Sequence, residues 1–262
     1  MKNKISGKIV ALLLTLIIVA TSGMPLYAKE TGDKANSFRY ENGQSIAKAV
    51  PFSTLSPNAW KKIDGKYYSG DGSVIEGAVA KGIDVSHHQG TVDWKKAKED
   101  GVEFAIIRCG FGMNQTKQDD AQWFNNVKGC EENNIPYGVY LYSYADTVKK
   151  AQSEAEHVLR LIKGHTLAYP VYYDIEEKAV LNKLTAEQLG KIAATFVNKV
   201  KAEGYQTGIY SNKSNFETFL TDSQFSQWNK WVAQYNSAAC TYKGTYQIWQ
   251  AADTGTIDGV NG

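Results

Sequence analysis

Seven short apolar runs, separated by turns and by segments of helical period, constrain the fold of this 262-residue chain more than any other feature. The runs are 80–85, 104–109, 137–142, 170–175, 206–210, 230–234 and 246–250. They are rich in β-branched and aromatic residues and are bounded by turn formers. Most are apolar on both faces, as expected of strands covered on two sides in a parallel sheet. Between them lie helical patterns. A short helix is predicted near 94–100. A second begins at about Asp120, with Ala121, Phe124, Val127 and Cys130 on one face. A third places Ala151, Ala155, Val158, Leu159 and Ile162 at helical spacing. In the clearest, Thr185 and Gln188 have capping-box spacing and Gly204 closes a stripe of Leu189, Ile192, Ala193, Phe196, Val197 and Val200. A short helix is expected over 212–220. The fold class is therefore α/β. Seven strands in about 170 residues fit a TIM-like β/α-barrel, irregular and with fewer helices than strands, better than an open sheet.

In such barrels the reactive groups gather where the strands end. Asp84 lies near the end of the first run, and Tyr140 and Tyr142 end the third. Asp174 and Glu176 end the fourth, and Tyr210 ends the fifth. Gln234 and Tyr235 end the sixth, Trp249 and Gln250 the seventh. Asp174-Ile175-Glu176 is the sharpest local feature. Residues i and i+2 of a strand point the same way, about 6.5–7 Å apart. Two carboxylates in one apolar-walled cleft do not both ionise readily, so one is poised as a general acid. Glycosidic cleavage needs such an acid, plus a carboxylate facing the developing positive charge. A bare D-x-E is more often a solvated strand end; the matching groups on the other strands reverse that weighting here.

The remaining sequence sets bounds. Lys2, Lys4 and Lys8 precede a 12-residue apolar run from Ile9 to Ala20, and small residues follow. That pattern reads as an export signal over 1–28, with cleavage after Ala28 or, in competition, nearer Ser22. The run is too short to span a bilayer, so no stable membrane insertion is expected once the signal is removed. Residues 29–58 are polar, contain Pro51 and Pro57, and read as a linker. Residues 59–79 read as a short β-hairpin. The formal charge is +2; without the three signal lysines it is near −1, which gives no electrostatic case for nucleic acid. Aromatics are 12% of the chain, with 16 Tyr and 6 Trp, which suits core filling or a cleft on which sugar rings stack. Three cysteines, Cys109, Cys130 and Cys240, leave at least one thiol unpaired. Cys109 and Cys130 fall in apolar patterns and read as buried small hydrophobes. His87-His88 invites a metal reading, but adjacent loop residues point apart, so a turn histidine is preferred and no metal or cofactor is expected.

Several motifs together, in one order, carry a family resemblance. Lys81-Gly82-Ile83-Asp84-Val85-Ser86-His87-His88-Gln89-Gly90, then Val92-Asp93-Trp94, resembles the opening of glycoside hydrolase family 25 lysozymes. Phe104-Ala105-Ile106-Ile107-Arg108-Cys109-Gly110, Tyr137-Gly138-Val139-Tyr140-Leu141-Tyr142-Ser143, and Pro170-Val171-Tyr172-Tyr173-Asp174-Ile175-Glu176 continue it. Gly208-Ile209-Tyr210, Trp231-Val232-Ala233-Gln234-Tyr235 and Ile248-Trp249-Gln250 complete it. The resemblance covers 80–262 and implies a cofactor-free peptidoglycan hydrolase; with the export signal it is expected to be secreted, and a monomer is expected. It would cleave the β-1,4 bond between N-acetylmuramic acid and N-acetylglucosamine. It implies Glu176 as general acid, Asp174 as the assisting carboxylate and Asp84 as a supporting acid. Tyr140, Tyr142, Tyr210, Gln234 and Trp249 are implied to bind the glycan. The 59–79 hairpin resembles a single aromatic wall-binding repeat of the choline-binding type. A chitinase or endo-N-acetylglucosaminidase is the rival within the class, although Tyr172 stands where those enzymes usually carry a further Asp. A wall-binding protein that has lost activity is the rival outside it, against which both Asp174 and Glu176 stand. A closed barrel also asks for an eighth strand. In family 25 a further Asp follows the stretch seen here at Asp253–Gly262, so the expectation is a chain clipped early, or one in which Asp253 or Asp258 substitutes.

Overall fold

The computed structural model describes residues 40–41, 44–45, 61–69, 72–235, 237, 239–253, 255 and 257–261. The expected signal and most of the expected linker lie outside these residues. Seven parallel strands form one sheet in strict chain order: β1 (Gly82–Val85), β2 (Phe104–Phe111), β3 (Tyr137–Tyr142), β4 (Val171–Asp174), β5 (Thr207–Asn212), β6 (Asn229–Ala233) and β7 (Ile248–Gln250). Six α-helices are described: α1 (Trp94–Glu99), α2 (Trp123–Glu132), α3 (Val148–Ile162), α4 (Lys178–Leu181), α5 (Ala186–Ala202) and α6 (Lys213–Thr218). None is long and apolar enough to cross a membrane.

Strand alternation sorts the sheet into two faces. Along β2, Ala105, Ile107 and Cys109 join the large core under the helices, while Phe104 and Ile106 join a smaller concave cluster with Tyr172, Tyr210, Trp231 and Ala233. The concave face has room for these rings because Gly208 stands beside Tyr172 in register. A Cβ at Gly208 would come within 2.5 Å of the Tyr172 ring, a clash that rigid packing does not absorb.

The helices form as their patterns predict, with one face met only in part. Thr185 caps α5, accepting from Gln188 N at 3.2 Å while Gln188 Oε1 accepts from Thr185 N at 2.9 Å. Losing such a cap costs about 1 kcal/mol. In α2 Val127 and Cys130 are buried as predicted, but Ala121 and Phe124 are not. Phe124 is 67% exposed, and the buried positions are Trp123, Asn126, Val127 and Cys130. The larger Trp123 ring takes the core slot, and Asn126 is admitted because its Oδ1 accepts from Trp94 Nε1 at 3.3 Å.

The expectation of a closed barrel is corrected. The sheet is a curled, open half-barrel in which β1 pairs only with β2, and β7 only with β6, among the described residues. β7 has just three residues, all paired with β6. The gap is crossed by other means. Gln250 Nε2 donates to Asp84 Oδ2 at 2.6 Å. The segment after β7 returns to the start of α1, where Asp93 N donates to Gly259 O at 2.8 Å. Ile257 and Val260 pack on the core there.

At the opposite end, Lys61–Ile63 pairs antiparallel with Lys66–Tyr68. Asp64 and Gly65, at φ 48° and 76°, make the tight turn that suits the twist of such a pair. Tyr67 is buried, and its hydroxyl donates to Val79 O at 3.1 Å and contacts the Glu103 carboxylate. Lys62 reaches the same carboxylate at 2.5 Å. Glu103 precedes β2, so the hairpin is docked at the N-terminal ends of the strands, away from the end where Asp174 lies.

Candidate active site

Asp174 is the last residue of β4, in register with Tyr142 of β3 and Tyr210 of β5. The backbone continues the pattern past the strand. Ser143 N donates to Asp174 O at 3.0 Å, and Ile175 N to Tyr210 O at 3.0 Å. Alternation then sends Tyr172, Asp174 and Glu176 to the concave side and Tyr173 and Ile175 to the helix side. Tyr173 and Ile175 do lie in the outer core, and Tyr172 in the inner cluster. Asp174 and Glu176 are 2% and 7% exposed.

The carboxylates converge electrostatically on shared tyrosines. Burial raises the hydroxyl of Tyr142 well above the usual phenol range, and the charges of Glu176 and Asp174 add to it. Burial likewise raises Tyr210, with contributions from Tyr235, Glu176, Asp174 and Asp84. Tyr140 is raised by burial and also feels Asp84 and Asp174. Strand alternation puts Asp84, Asp174 and Glu176 on the same side of the sheet as Tyr140, Tyr142 and Tyr210, and Gln250 ties Asp84 to Tyr210 across it.

Asp84 has a built setting. Tyr210 and Tyr235 hydroxyls both donate to Gln250 Oε1 at 2.8 Å, which fixes the amide so that its Nε2 faces Asp84. Burial pushes the Asp84 carboxyl up to about 6, against the lowering effect of the Gln250 bond. Asp253 adds a further upward push by its charge.

Two residues expected to bind substrate face otherwise. Trp231 and Ala233 belong to the concave cluster, so Gln234, one step on, turns outward. Its amide is engaged with Thr241, accepting from Thr241 N at 2.8 Å and donating to Thr241 Oγ1 at 3.0 Å. Trp249 lies between the concave Ile248 and the Asp84-bound Gln250, and its indole N–H donates to Gln234 O at 2.9 Å. The concave positions at this edge belong to Tyr235 and Gln250.

Sequence reading also missed Arg108. It is buried at the concave side of β2, donates from Nε to Asp120 Oδ2 at 2.8 Å, and meets His87 Nδ1 through its Nη2. Burial works against the charge on Asp120, but the His87 hydrogen bond and the Arg108 guanidinium hold its carboxyl far below the usual range. The signal was present: an arginine inside an otherwise apolar strand requires a buried acid, and Asp119-Asp120 follows. His87 is thus tied into an ion-pair network, and among the described residues no group of three or more His, Cys, Asp or Glu could hold a metal ion. Cys109, Cys130 and Cys240 are free thiols, the first two buried.

A curled parallel sheet with a buried carboxylate pair at the end of its fourth strand, facing tyrosines of the neighbouring strands, is an arrangement suited to glycosidic cleavage. The comparisons bear on the family. The sequence profile for glycosyl hydrolases family 25 matches residues 83–260, and the chain belongs to that family. The protein YegX of Escherichia coli is 30% identical over 188 residues, covering 69% of this chain and 66% of its own length. The autolytic lysozyme of Clostridium acetobutylicum is 27% identical over 182 residues, covering 70% of this chain and 53% of its own. Among solved structures, the modular autolysin LytC of Streptococcus pneumoniae superposes with a TM-score of 0.68 at 31% identity, over 78% of this chain and 50% of that one. LytC has also been solved with a synthetic peptidoglycan ligand. The chain thus spans between half and two thirds of the length of these relatives.

Proposed function

We propose that this protein is a secreted lysozyme that cleaves the β-1,4 bond between N-acetylmuramic acid and N-acetylglucosamine in peptidoglycan. The observation that carries the reading is the pairing of Asp174 and Glu176 on the concave parity of β4, both buried and both acting on Tyr142 and Tyr210. Relatives described as an autolytic lysozyme and as an autolysin with a peptidoglycan ligand support the substrate class. Glu176 donates its proton to the leaving glycosidic oxygen. Asp174 orients the reacting sugar and offsets its developing positive charge, and Asp84 supports the same cleft from β1. Tyr140, Tyr142 and Tyr210 supply ring surface for the glycan. Residues 1–28 export the protein, 29–58 act as a linker, and the mature protein works as a monomer without a cofactor.

Asp174 ends β4 and Glu176 follows two residues on, so both approach from one side and neither is set for direct attack from the opposite face of the sugar. The substrate's own acetamido group then serves as the nucleophile, with Asp174 orienting it, and the product keeps its anomeric configuration. Digestion of purified peptidoglycan followed by mass spectrometry should release N-acetylmuramic acid reducing ends, with the β-anomer formed first by NMR. N-acetylglucosamine reducing ends would replace this reading with the glucosaminidase one. An α-anomer formed first would overturn the acetamido route.

A further inference from the structure

Behind the catalytic strand lies a buried carboxylate that the mechanism does not use. Glu154, in the middle of α3, is wholly buried on the helix side of the sheet. One oxygen accepts from Tyr144 N at 2.9 Å. The other accepts from Ser143 Oγ at 2.8 Å and from Tyr173 Oη at 2.5 Å. The two hydroxyls also lie 2.9 Å from each other, and Ser143 Oγ accepts from Ala145 N at 3.1 Å. A buried acid this costly is kept only when its partners need it.

The partners are not random. Ser143 and Tyr144 directly follow Tyr142, and Tyr173 directly precedes Asp174. Ser143 N in turn holds Asp174 O at 3.0 Å. One side chain therefore fastens the ends of β3 and β4 from behind, at the level where Tyr142, Asp174 and Glu176 emerge in front. The Tyr173 ring is pinned flat on Phe196 of α5 at 3.9 Å between centroids, so it transmits position rather than swinging free.

We propose that Glu154 is a positioning residue, whose three hydrogen bonds fix the β3 and β4 ends so that Asp174 and Glu176 meet the glycan in reacting geometry. This rests on the lysozyme reading for its activity readout but not for its structural one. The clamp acts through hydrogen bonds more than through charge. An isosteric amide could still serve, because the Ser143 and Tyr173 hydroxyls can turn from donating to accepting. A leucine would fill the volume and break all three bonds.

The test compares Glu154→Gln with Glu154→Leu on a soluble glycan oligomer, with amide hydrogen exchange measured on the same samples. Glu154→Leu should lower kcat about tenfold or more with KM within about twofold, and quicken exchange at Ser143 and Tyr144 at least about tenfold. Glu154→Gln should stay within about threefold of the parent in both. A purely structural role predicts a lower Tm with unchanged kcat in the folded fraction. Unchanged exchange at Ser143 and Tyr144 in folded Glu154→Leu overturns the clamp, whatever the activity. If the parent is inactive but the exchange changes appear, the lysozyme reading fails and the clamp stands. Should Glu154→Leu not fold, Ser143→Ala combined with Tyr173→Phe removes two of the bonds and must show the same kcat loss and faster exchange at Tyr144, or the proposal falls.

Discussion

The centre of the sheet and its β6–β7 edge follow the same alternation rule, yet they differ in how readily sequence reveals it. At the centre, β4 is four fully buried residues flanked by full-length strands on both sides. Neighbours on two edges leave one register, and Asp174 and Glu176 can face only the cleft. At the edge, β7 is three residues, partly buried, paired on one side. There, polar residues cluster in both parities, as Gln234-Tyr235 and Trp249-Gln250 show. Position at a strand end is not enough; the parity of the residue decides whether it meets substrate or folds its own loop.

That contrast can be broken most sharply at Gln250. Gln250→Leu removes the amide that joins Tyr210, Tyr235 and Asp84. Hydrogen bonds to ionised groups contribute about 1.5–3 kcal/mol, so kcat/KM on soluble glycan should fall about 10- to 100-fold. A loss under threefold would mean that the edge is not part of the catalytic cleft.

A second test uses pH. Asp84 and Glu154 are pushed up to about 6 and about 7 by burial, from unfolded values near 3.8 and 4.5. The folded state therefore binds protons more tightly than the unfolded chain. The stability this adds is fully present below the unfolded values and is lost as pH rises through 6 to 7. Asp119 and Asp120 are shifted downward, so their opposite effect lies below about pH 4. Tm should decline between pH 4.5 and 7.5, and Glu154→Gln should flatten part of that decline. A Tm that rises across this window would show that the two acids are not buried as described.

The smallest effect is expected at the outward residues. Gln234→Ala should change kcat/KM by no more than about twofold, because its amide serves Thr241; a loss comparable to that of Gln250→Leu would restore it to the cleft.

Much of the fold was legible because it rests on local rules. The seven apolar runs match the seven strands to within about two residues at each end, and the Thr185–Gln188 capping box forms as its spacing predicts. The closed barrel was not legible, since closure depends on whether two distant edges meet, and no local pattern encodes that. The second half of the α2 face, Val127 and Cys130, was legible, but Phe124 was placed where Trp123 goes, because the two compete for one core slot that only tertiary packing assigns. In the site, the strand-end positions of Asp174, Asp84 and the three tyrosines were legible, while the roles of these residues and of Glu176 belong to the proposal. Glu154 was not legible, because its partners Ser143 and Tyr173 lie 11 and 19 residues away; Arg108 carried a signal in the acids that follow its strand, but its partner Asp120 is 12 residues on. Buried polar networks are matched in space, whereas sequence shows only neighbours along the chain.

The account turns on Glu176 as the proton donor, and one substitution addresses it directly. Glu176→Gln keeps the size and the buried setting of the side chain but has no proton to deliver. Turbidity clearance of purified peptidoglycan by parent and variant, with circular dichroism to establish equal folding, makes the comparison. The account predicts a loss of about 10²–10⁴ in rate with an unchanged fold. A folded Glu176→Gln protein that clears peptidoglycan at near the parent rate would contradict it.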